Sequence, residues 1–175
     1  MKEIYFAGGC FWGIEHYFKQ VRGVLSTEAG YANGHTLEPS YQDVCTDQTG
    51  FAETVHVVYN EQEISLASLL QLYFKAIDPV SVNQQGEDKG SQYRTGIYYV
   101  DEADKAIIQP VYDALQQQLG QPLAVELLPL QNFYVAEDYH QDYLDKNPTG
   151  YCHLPKALFE EAKAFRPSVE NNHKV

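Results

Sequence analysis

The stretch EIYFAGGCFWG, residues 3–13, determines how the chain begins to fold. It opens with aromatic and β-branched residues, which are typical of a strand, and its two consecutive glycines end that strand in a tight turn. From Phe11 the apolar residues recur at steps of three and four as far as Val21, which predicts a helix closed by Gly23. Cys10 is therefore expected at the N-terminus of this helix.

The rest of the chain alternates short strand-like runs with amphipathic segments. Residues 78–93 follow neither period, and because loops of this length in compact domains are usually functional or disordered, we expect a site loop there. Ser65 is expected to cap the helix that follows it. We predict strands at residues 25–31, 53–59, 95–100 and 123–128, and helices at residues 66–77, 102–119 and 136–144.

The order strand, helix, strand, strand, helix, strand is that of a split βαβ unit. It predicts an α/β (α+β) two-layer sandwich, a ferredoxin-like plait with a mixed, mainly antiparallel sheet, helices on one side, and an irregular C-terminal segment. We expect a single domain over residues 1–155 and a helical tail over residues 156–175, for which the sequence suggests no function.

Charge and hydropathy restrict the classes of partner. The 175 residues include 12 Lys and Arg against 24 Asp and Glu, a net charge of −12, so most of the surface would repel the phosphates of a nucleic acid. The mean hydropathy is −0.41, and no apolar run approaches the roughly 18 residues that cross a bilayer. The N-terminal residues show no export signal. We therefore expect a cytoplasmic monomer with neither nucleic-acid nor membrane partners.

The three cysteines, Cys10, Cys45 and Cys152, are odd in number and widely spaced, which fits neither a disulfide scaffold nor a Cys-x-x-Cys site. The histidines form no closely spaced ligand pairs with them, so no metal is expected. A helix N-terminus favours the thiolate, which makes Cys10 a candidate nucleophile beside two large apolar side chains, Phe11 and Trp12. The alternative is that Cys10 is a buried packing residue, as most free cysteines are.

The segment GCFWG, residues 9–13, resembles the active-site signature of peptide methionine sulfoxide reductase A. The resemblance covers about residues 3–155 and implies a thiol-dependent oxidoreductase that reduces the S epimer of methionine sulfoxide, free or in proteins. Further segments are similar to the same family in order and spacing: Glu15, residues 30–32 (GYA), 41–45 (YQDVC), 49–53 (TGFAE), 85–94 (QGEDKGSQYR) and 136–141 (AEDYHQ).

The resemblance also implies roles for individual residues. Cys10 would attack the substrate and become a sulfenic acid. Glu53 corresponds to the family's acid, and burial beside aromatic side chains would raise its pKa so that it can donate a proton near pH 7. Tyr41 and Tyr93 correspond to tyrosines that hold the sulfoxide oxygen through their hydroxyls. The residues expected to bind the substrate are Phe11, Trp12 and Asp88.

A sulfenic acid is most simply discharged by a second thiol. Cys152 lies in an irregular segment and matches the family's resolving position, which implies a Cys10–Cys152 disulfide reduced by an external dithiol, thioredoxin or dithiothreitol, with no bound cofactor. Cys45 is expected to be buried and inert near Tyr41, with a redox role as the alternative. Phe51 stands where relatives often have histidine, so a histidine contribution beside Glu53 is in doubt.

Two other functions would use the same residues differently. In a peroxide sensor, Cys10 would react faster with hydrogen peroxide than with methyl sulfoxides, and the resulting disulfide would alter a partner interaction. In a binding module, a methionine-containing peptide would bind without consuming a thiol. Neither alternative requires an acid, two phenols and a second cysteine at the matched positions.

Overall fold

A computed structural model describes residues 1–167 of the chain. Its main sheet has six strands in the order β7-β6-β1-β3-β2-β8, and a separate two-stranded hairpin pairs β4 with β5. The strands are β1 (Lys2–Gly8), β2 (Val24–Ala32), β3 (Ala52–Tyr59), β4 (Gln84–Gln85), β5 (Asp88–Lys89), β6 (Thr95–Tyr99), β7 (Glu126–Pro129) and β8 (Phe133–Val135). The helices are α1 (Phe11–Lys19), α2 (Tyr41–Cys45), α3 (Leu66–Ala76), α4 (Glu102–Leu119), α5 (Tyr143–Lys146) and α6 (Lys156–Ala164).

The sheet is mixed and mainly antiparallel. Strand β1 pairs antiparallel with β3 and with β6, and β2 pairs antiparallel with β3 and β8, whereas β6 and β7 run parallel. The predicted α/β class with a mainly antiparallel sheet is therefore confirmed. The finer description as a ferredoxin-like plait stays a prediction.

Alternate residues of β1 face two different cores, as the two-residue period of a strand requires. Ile4 and Phe6 belong to the main core, to which α1, α3 and α4 contribute, and Tyr5 belongs to a smaller cluster on the opposite face. The Phe6 ring is fully buried and stacks between Phe18 of α1 at 4.9 Å and Tyr73 of α3 at 4.7 Å. This packing fixes α1 against the sheet directly after the turn that carries Cys10.

Helices α3 and α4 form where their local signals predict them. The Ser65 hydroxyl accepts the Ser68 N–H at 3.1 Å and caps α3. The Asp101 carboxylate caps α4, which occupies the predicted residues 102–119 and ends at Gly120 with φ 68°. Within residues 1–167, no helix combines the length and the apolar character that a bilayer crossing needs.

The prediction that Gly23 closes α1 is wrong, since the helix ends at Lys19. Gly23 instead adopts φ 101° in the turn before β2, where a Cβ would lie 2.7 Å from Ile64. The strand predicted at residues 123–128 is shifted to β7. Residues 123–125 are drawn to α4 instead, because the Tyr112 hydroxyl donates to the Val125 carbonyl at 2.8 Å.

The helix predicted at residues 136–144 is also wrong. A 3-10 turn at Asp138–His140 is followed by α5, because the Gln141 side chain bonds both the N–H and the carbonyl of Ala29, at 2.8 Å each. This anchor holds the segment beside β2. The sequence interpretation also missed β8, the β4–β5 hairpin inside the predicted site loop, and the five-residue helix α2.

Helix α6 begins at the start of the predicted tail and packs against α1, with Ala162 fully buried. The part of the predicted tail at residues 168–175 lies outside the described residues. The division into a domain at residues 1–155 and a tail stays a prediction.

We expect Phe6→Ala to lower the free energy of unfolding by about 3–5 kcal/mol, because it removes a fully buried ring and leaves a cavity. Urea unfolding measures the change, with Leu37→Ala as the control. Leu37 is 83% exposed, and its replacement should change stability by less than about 0.5 kcal/mol. A loss below about 1 kcal/mol in Phe6→Ala would contradict this account of the core.

Candidate active site

Cys10 lies in the turn between the central strand and the first helix. β1 ends at Gly8, Gly9 turns the chain with φ 88°, and Cys10 occupies the N-cap position of α1. A Cβ at Gly9 would lie 2.8 Å from Gln85 Cβ, so only glycine fits this turn. The observed bounds of α1 confirm the prediction that Cys10 lies at a helix N-terminus.

The thiol of Cys10 is protonated in the free protein. Its side chain is 7% exposed, and burial raises its pKa well above the ordinary value of 9.0, with Glu53 as the next contribution. A hydrogen bond from the Trp12 backbone lowers the pKa but does not offset these effects. Burial therefore outweighs the helix N-terminus, which on its own favours the thiolate.

Glu53 lies on β3, 1% exposed, with its carboxyl group at the first turn of α1. The N–H of Phe11 donates to Glu53 Oε1 at 3.2 Å, and Oε2 is buried with no hydrogen-bond partner in residues 1–167. Burial raises the pKa of Glu53 to about 8, although the bond from Phe11 opposes the shift. Glu53 is thus a protonated acid at neutral pH, directly beside the residue that follows Cys10.

Tyr41 and Tyr93 reach the same place from two different loops. Tyr41 begins α2 and donates its N–H to Glu137 Oε2 at 3.0 Å, whereas Tyr93 ends a 3-10 turn after the β4–β5 hairpin. Burial raises the pKa of both phenols, and Glu53 adds to both shifts. Both hydroxyls therefore stay protonated and can donate hydrogen bonds.

Phe11 and Trp12 form an apolar wall with neighbouring aromatic rings. Phe11 is 1% exposed, and its ring lies 5.1 Å from that of His140. Trp12 Nε1 donates to His140 Nδ1 at 2.9 Å, and the indole stacks on Tyr143 at 3.7 Å. A wall of this kind suits a methyl group and excludes water.

Asp88 faces the same region from strand β5. Its Oδ2 is buried and makes no hydrogen bond in the described part of the chain. Burial is the main cause of the raised pKa values of Cys10, Tyr93 and Cys152, and the Asp88 carboxylate contributes to all three. Asp88 therefore acts on both thiols and on the phenols of Tyr93 and Tyr151.

Cys152 is half-buried near Cys10 and contributes to the raised pKa of that thiol. Its Sγ accepts the Leu154 N–H at 3.4 Å. On the outer side Cys152 borders a cavity of about 360 Å³ between α1, α5 and α6. Residues 1–167 contain no group of three or more His, Cys, Asp and Glu side chains that could hold a metal ion.

The site places one buried thiol, one protonated carboxyl and two phenols beside an apolar wall, and these groups suit a methyl sulfoxide. The family model described as Peptide methionine sulfoxide reductase matches residues 2–172. Peptide methionine sulfoxide reductase MsrA of Clostridium acetobutylicum is 55% identical over 161 residues, which are 92% of this chain and 99% of that protein. This chain belongs to the peptide methionine sulfoxide reductase family.

Solved structures show the same fold. Reduced Mxr1 from Saccharomyces cerevisiae is 41% identical with a TM-score of 0.82, covering 86% of this chain and 88% of that one. Mxr1 in complex with Trx2 is 26% identical with a TM-score of 0.58, covering 81% and 84%. As a peptide methionine sulfoxide reductase, the protein is a thiol-dependent oxidoreductase that reduces methionine sulfoxide to methionine.

All the residues expected to act in this reductase lie around Cys10, but the expectation that the neighbouring Cys45 is buried is wrong. Cys45 is exposed, not buried, although it contacts the Tyr41 hydroxyl as expected. It lies at the surface because α2, which the sequence interpretation missed, presents its C-terminal residue to solvent. Phe51 is buried against Tyr134 and Gly34, so it packs the loop in front of the acid.

Three supporting residues of the reductase site carried no role in the sequence interpretation. Glu137 bonds both the Tyr31 hydroxyl, at 2.8 Å, and the Tyr41 N–H. His140 accepts the Trp12 indole N–H, and Tyr143 stacks on the same indole. The segment AEDYHQ at residues 136–141 matches the family and was the available signal for Glu137 and His140, whereas Tyr143 lies outside it.

We expect Glu53→Gln to make the protein more stable at pH 7. The folded pKa of about 8 lies above the ordinary value of 4.5, so folding must protonate Glu53 between these values, and stability falls as pH rises through that window. The loss is at most roughly 1.4 kcal/mol per pH unit. Urea unfolding from pH 5 to pH 8 tests this.

The neutral amide introduced by Glu53→Gln does not titrate, so the stability difference between variant and parent should grow with pH across the window. Other groups titrate alike in both proteins and cancel in that difference. Parallel stability curves for the two proteins would contradict a raised pKa at Glu53.

Proposed function

We propose that Cys10 is the nucleophile that reduces the S epimer of methionine sulfoxide, free or in proteins. The Cys10 sulfur bonds to the sulfoxide sulfur, and the S–O bond of the substrate breaks as its oxygen takes a proton. A hydroxyl then bonds to the Cys10 sulfur as the bond between the two sulfurs breaks, so methionine leaves and Cys10 becomes a sulfenic acid. The substrate gains two electrons and Cys10 loses two. Because the thiol is protonated in the free protein, its reactive form must arise with the substrate bound.

Glu53 acts as the general acid in this proposal. A leaving oxygen needs a proton, and Glu53 holds one at neutral pH because burial raises its pKa to about 8. The contact between Glu53 and the Phe11 N–H, at 3.2 Å, is the observation that carries the proposal, since it fixes a protonated carboxyl beside the sulfur of Cys10.

Tyr41 and Tyr93 hold the sulfoxide oxygen, because each phenol donates a hydrogen bond without bringing a charge. Phe11 and Trp12 receive the methyl group against their rings, and Asp88 binds the polar part of the substrate. The burial of Phe11 and the stacking of Trp12 on Tyr143 support a preformed apolar wall for the methyl group.

Cys152 resolves the sulfenic acid as a Cys10–Cys152 disulfide, which a thioredoxin-type dithiol then reduces. The structure of a relative in complex with Trx2 supports this partner. The cavity beside Cys152 supports access of the reductant to that sulfur from outside the substrate pocket. The reaction needs no bound cofactor, because the external dithiol supplies the electrons.

We place the enzyme in the cytoplasm, where thioredoxin keeps thiols reduced, as one catalytic domain over residues 1–155 with residues 156–175 as a tail. Its work there would be the repair of methionine oxidised during oxidative stress.

Replacing the cysteines one at a time tests the proposal. We expect Cys10→Ser to form no methionine, and Cys152→Ser to form one equivalent per enzyme and then stop with a sulfenic acid at Cys10. Cys45→Ser is the matched control and should turn over like the parent. Methionine is quantified by chromatography and thiols by mass spectrometry. Turnover by Cys10→Ser at the parent rate would contradict the proposal.

The pH dependence of the first step tests Glu53 separately. Since the acid must be protonated, the single-turnover rate of methionine formation should fall as pH rises through about 8. Glu53→Gln should lower the rate about 10²- to 10⁴-fold and remove that descending limb. Glu15→Gln is the control, because Glu15 is another buried glutamate with a raised pKa. An unchanged profile in Glu53→Gln would assign the limb to another group.

A further inference from the structure

His153, the residue after Cys152, is inserted into the body of the protein although the segment around it has no regular structure. Its Nε2 lies 3.0 Å from the carbonyl oxygen of Gly8. Because a carbonyl only accepts hydrogen bonds, Nε2 carries the proton of the neutral ring. The bond therefore ties the Cys152 segment to the last residue of β1, two positions before Cys10.

Two glycines near Cys10 leave room for this imidazole, and a third glycine, in the turn of the β4–β5 hairpin, is in ordinary contact with the same residue. A Cβ at Gly9 would lie 3.1 Å from His153 Nε2, and a Cβ at Gly13 would lie 3.3 Å from His153 Cε1. A Cβ at Gly86, in the turn of the β4–β5 hairpin, would lie 3.7 Å from His153 Cβ. We call Gly9, Gly13, Gly86 and the Gly8 carbonyl the His153 socket.

The same socket brings the thiol of Cys152 to the face of α1 that carries Cys10. A Cβ at Gly13 would lie 3.0 Å from Cys152 Sγ, which is closer than ordinary side-chain contact. Cys10 and Gly13 are three residues apart at the start of the helix, and residues at that spacing are neighbours on one face. The absence of a side chain at Gly13 thus creates the place that Cys152 occupies.

We propose that His153 is a positioning residue for the resolving step, and that Gly13 provides the space in which it holds Cys152 beside Cys10. The inference rests on the proposed role of Cys152. In this step the Cys152 sulfur attacks the sulfur of the Cys10 sulfenic acid. An S–S bond forms, the S–O bond breaks, and the hydroxyl leaves as water with the proton of the Cys152 thiol.

The step reduces the Cys10 sulfur and oxidises the Cys152 sulfur by one electron each, so no other reagent is needed. The socket does not touch the carboxyl of Glu53 or the phenols of Tyr41 and Tyr93 in any hydrogen bond of residues 1–167. Loss of the His153 anchor should therefore slow disulfide formation without slowing the formation of methionine.

A single-turnover experiment separates the two steps. Reduced enzyme is mixed with one equivalent of N-acetyl-methionine-S-sulfoxide methylamide, and methionine, Cys10 sulfenic acid (trapped with dimedone) and disulfide are followed by quenched mass spectrometry. We expect His153→Phe, which keeps a ring but loses the donor, to form methionine at the parent rate and disulfide about 10- to 100-fold more slowly. His153→Gln, whose amide can donate to the Gly8 carbonyl, should recover most of that loss.

Gly13→Ala tests the space independently of the imidazole. Alanine favours the helix more than glycine does, so folding should not suffer, whereas its Cβ would displace Cys152 Sγ. We expect slow disulfide formation with no loss of thermal stability, a combination that general destabilisation does not produce. His56→Gln is the control, because His56 stacks on Tyr5 in the smaller cluster and should leave both steps unchanged.

The outcomes distinguish this inference from the proposed function. If Cys152→Ser also forms disulfide at the parent rate, the proposed role of Cys152 is wrong. If Cys152→Ser accumulates sulfenic acid while His153→Phe and Gly13→Ala form disulfide like the parent, only the role of the His153 socket is wrong. Slowing of both steps to the same extent in His153→Phe would also overturn it.

Discussion

The hydrogen bond from the Phe11 amide to the buried carboxyl of Glu53 is the interaction on which the site depends. It joins the first residue of α1 to β3, and so relates the helix that carries Cys10 to the strand that carries the acid. The packing of Phe6 between Phe18 of α1 and Tyr73 of α3 holds α1 against the sheet. The carboxyl is buried where α1 begins, and this burial raises its pKa.

A second constraint is the close approach of backbone and side chains around the catalytic turn. The space beside Gly9 and Gly13 cannot hold a ligand, because the side chains of Gln85, Cys152 and His153 already occupy it. The glycines on both sides of Cys10 therefore serve contacts within the chain. They let a hairpin and an irregular C-terminal segment pack against the turn that carries Cys10.

The sequence predicted what local signals decide and missed what tertiary contacts decide. The bounds of α4 follow from Asp101 at one end and Gly120 at the other, and both act within a single turn of helix. The pattern after residue 136 predicts a helix. The helix does not form there because the side-chain amide of Gln141 binds the backbone of Ala29 on β2, 112 residues away. Within the site, the family resemblance predicted which residues would act. The protonation state of Cys10 could not be predicted, because it depends on burial that no local sequence pattern indicates.

The protonation states of Cys10 and Glu53 are linked in the proposed chemistry. A carboxylate beside Cys10 would oppose formation of the thiolate, so the proton on Glu53 both removes that repulsion and supplies the acid. Reduction of one sulfoxide takes one proton from Glu53 to the oxygen, and the proton that Cys10 releases returns to Glu53, so no net proton is consumed in the first step. The site can therefore begin and end that step with both groups neutral, which is the state that burial in a protein of net charge −12 favours.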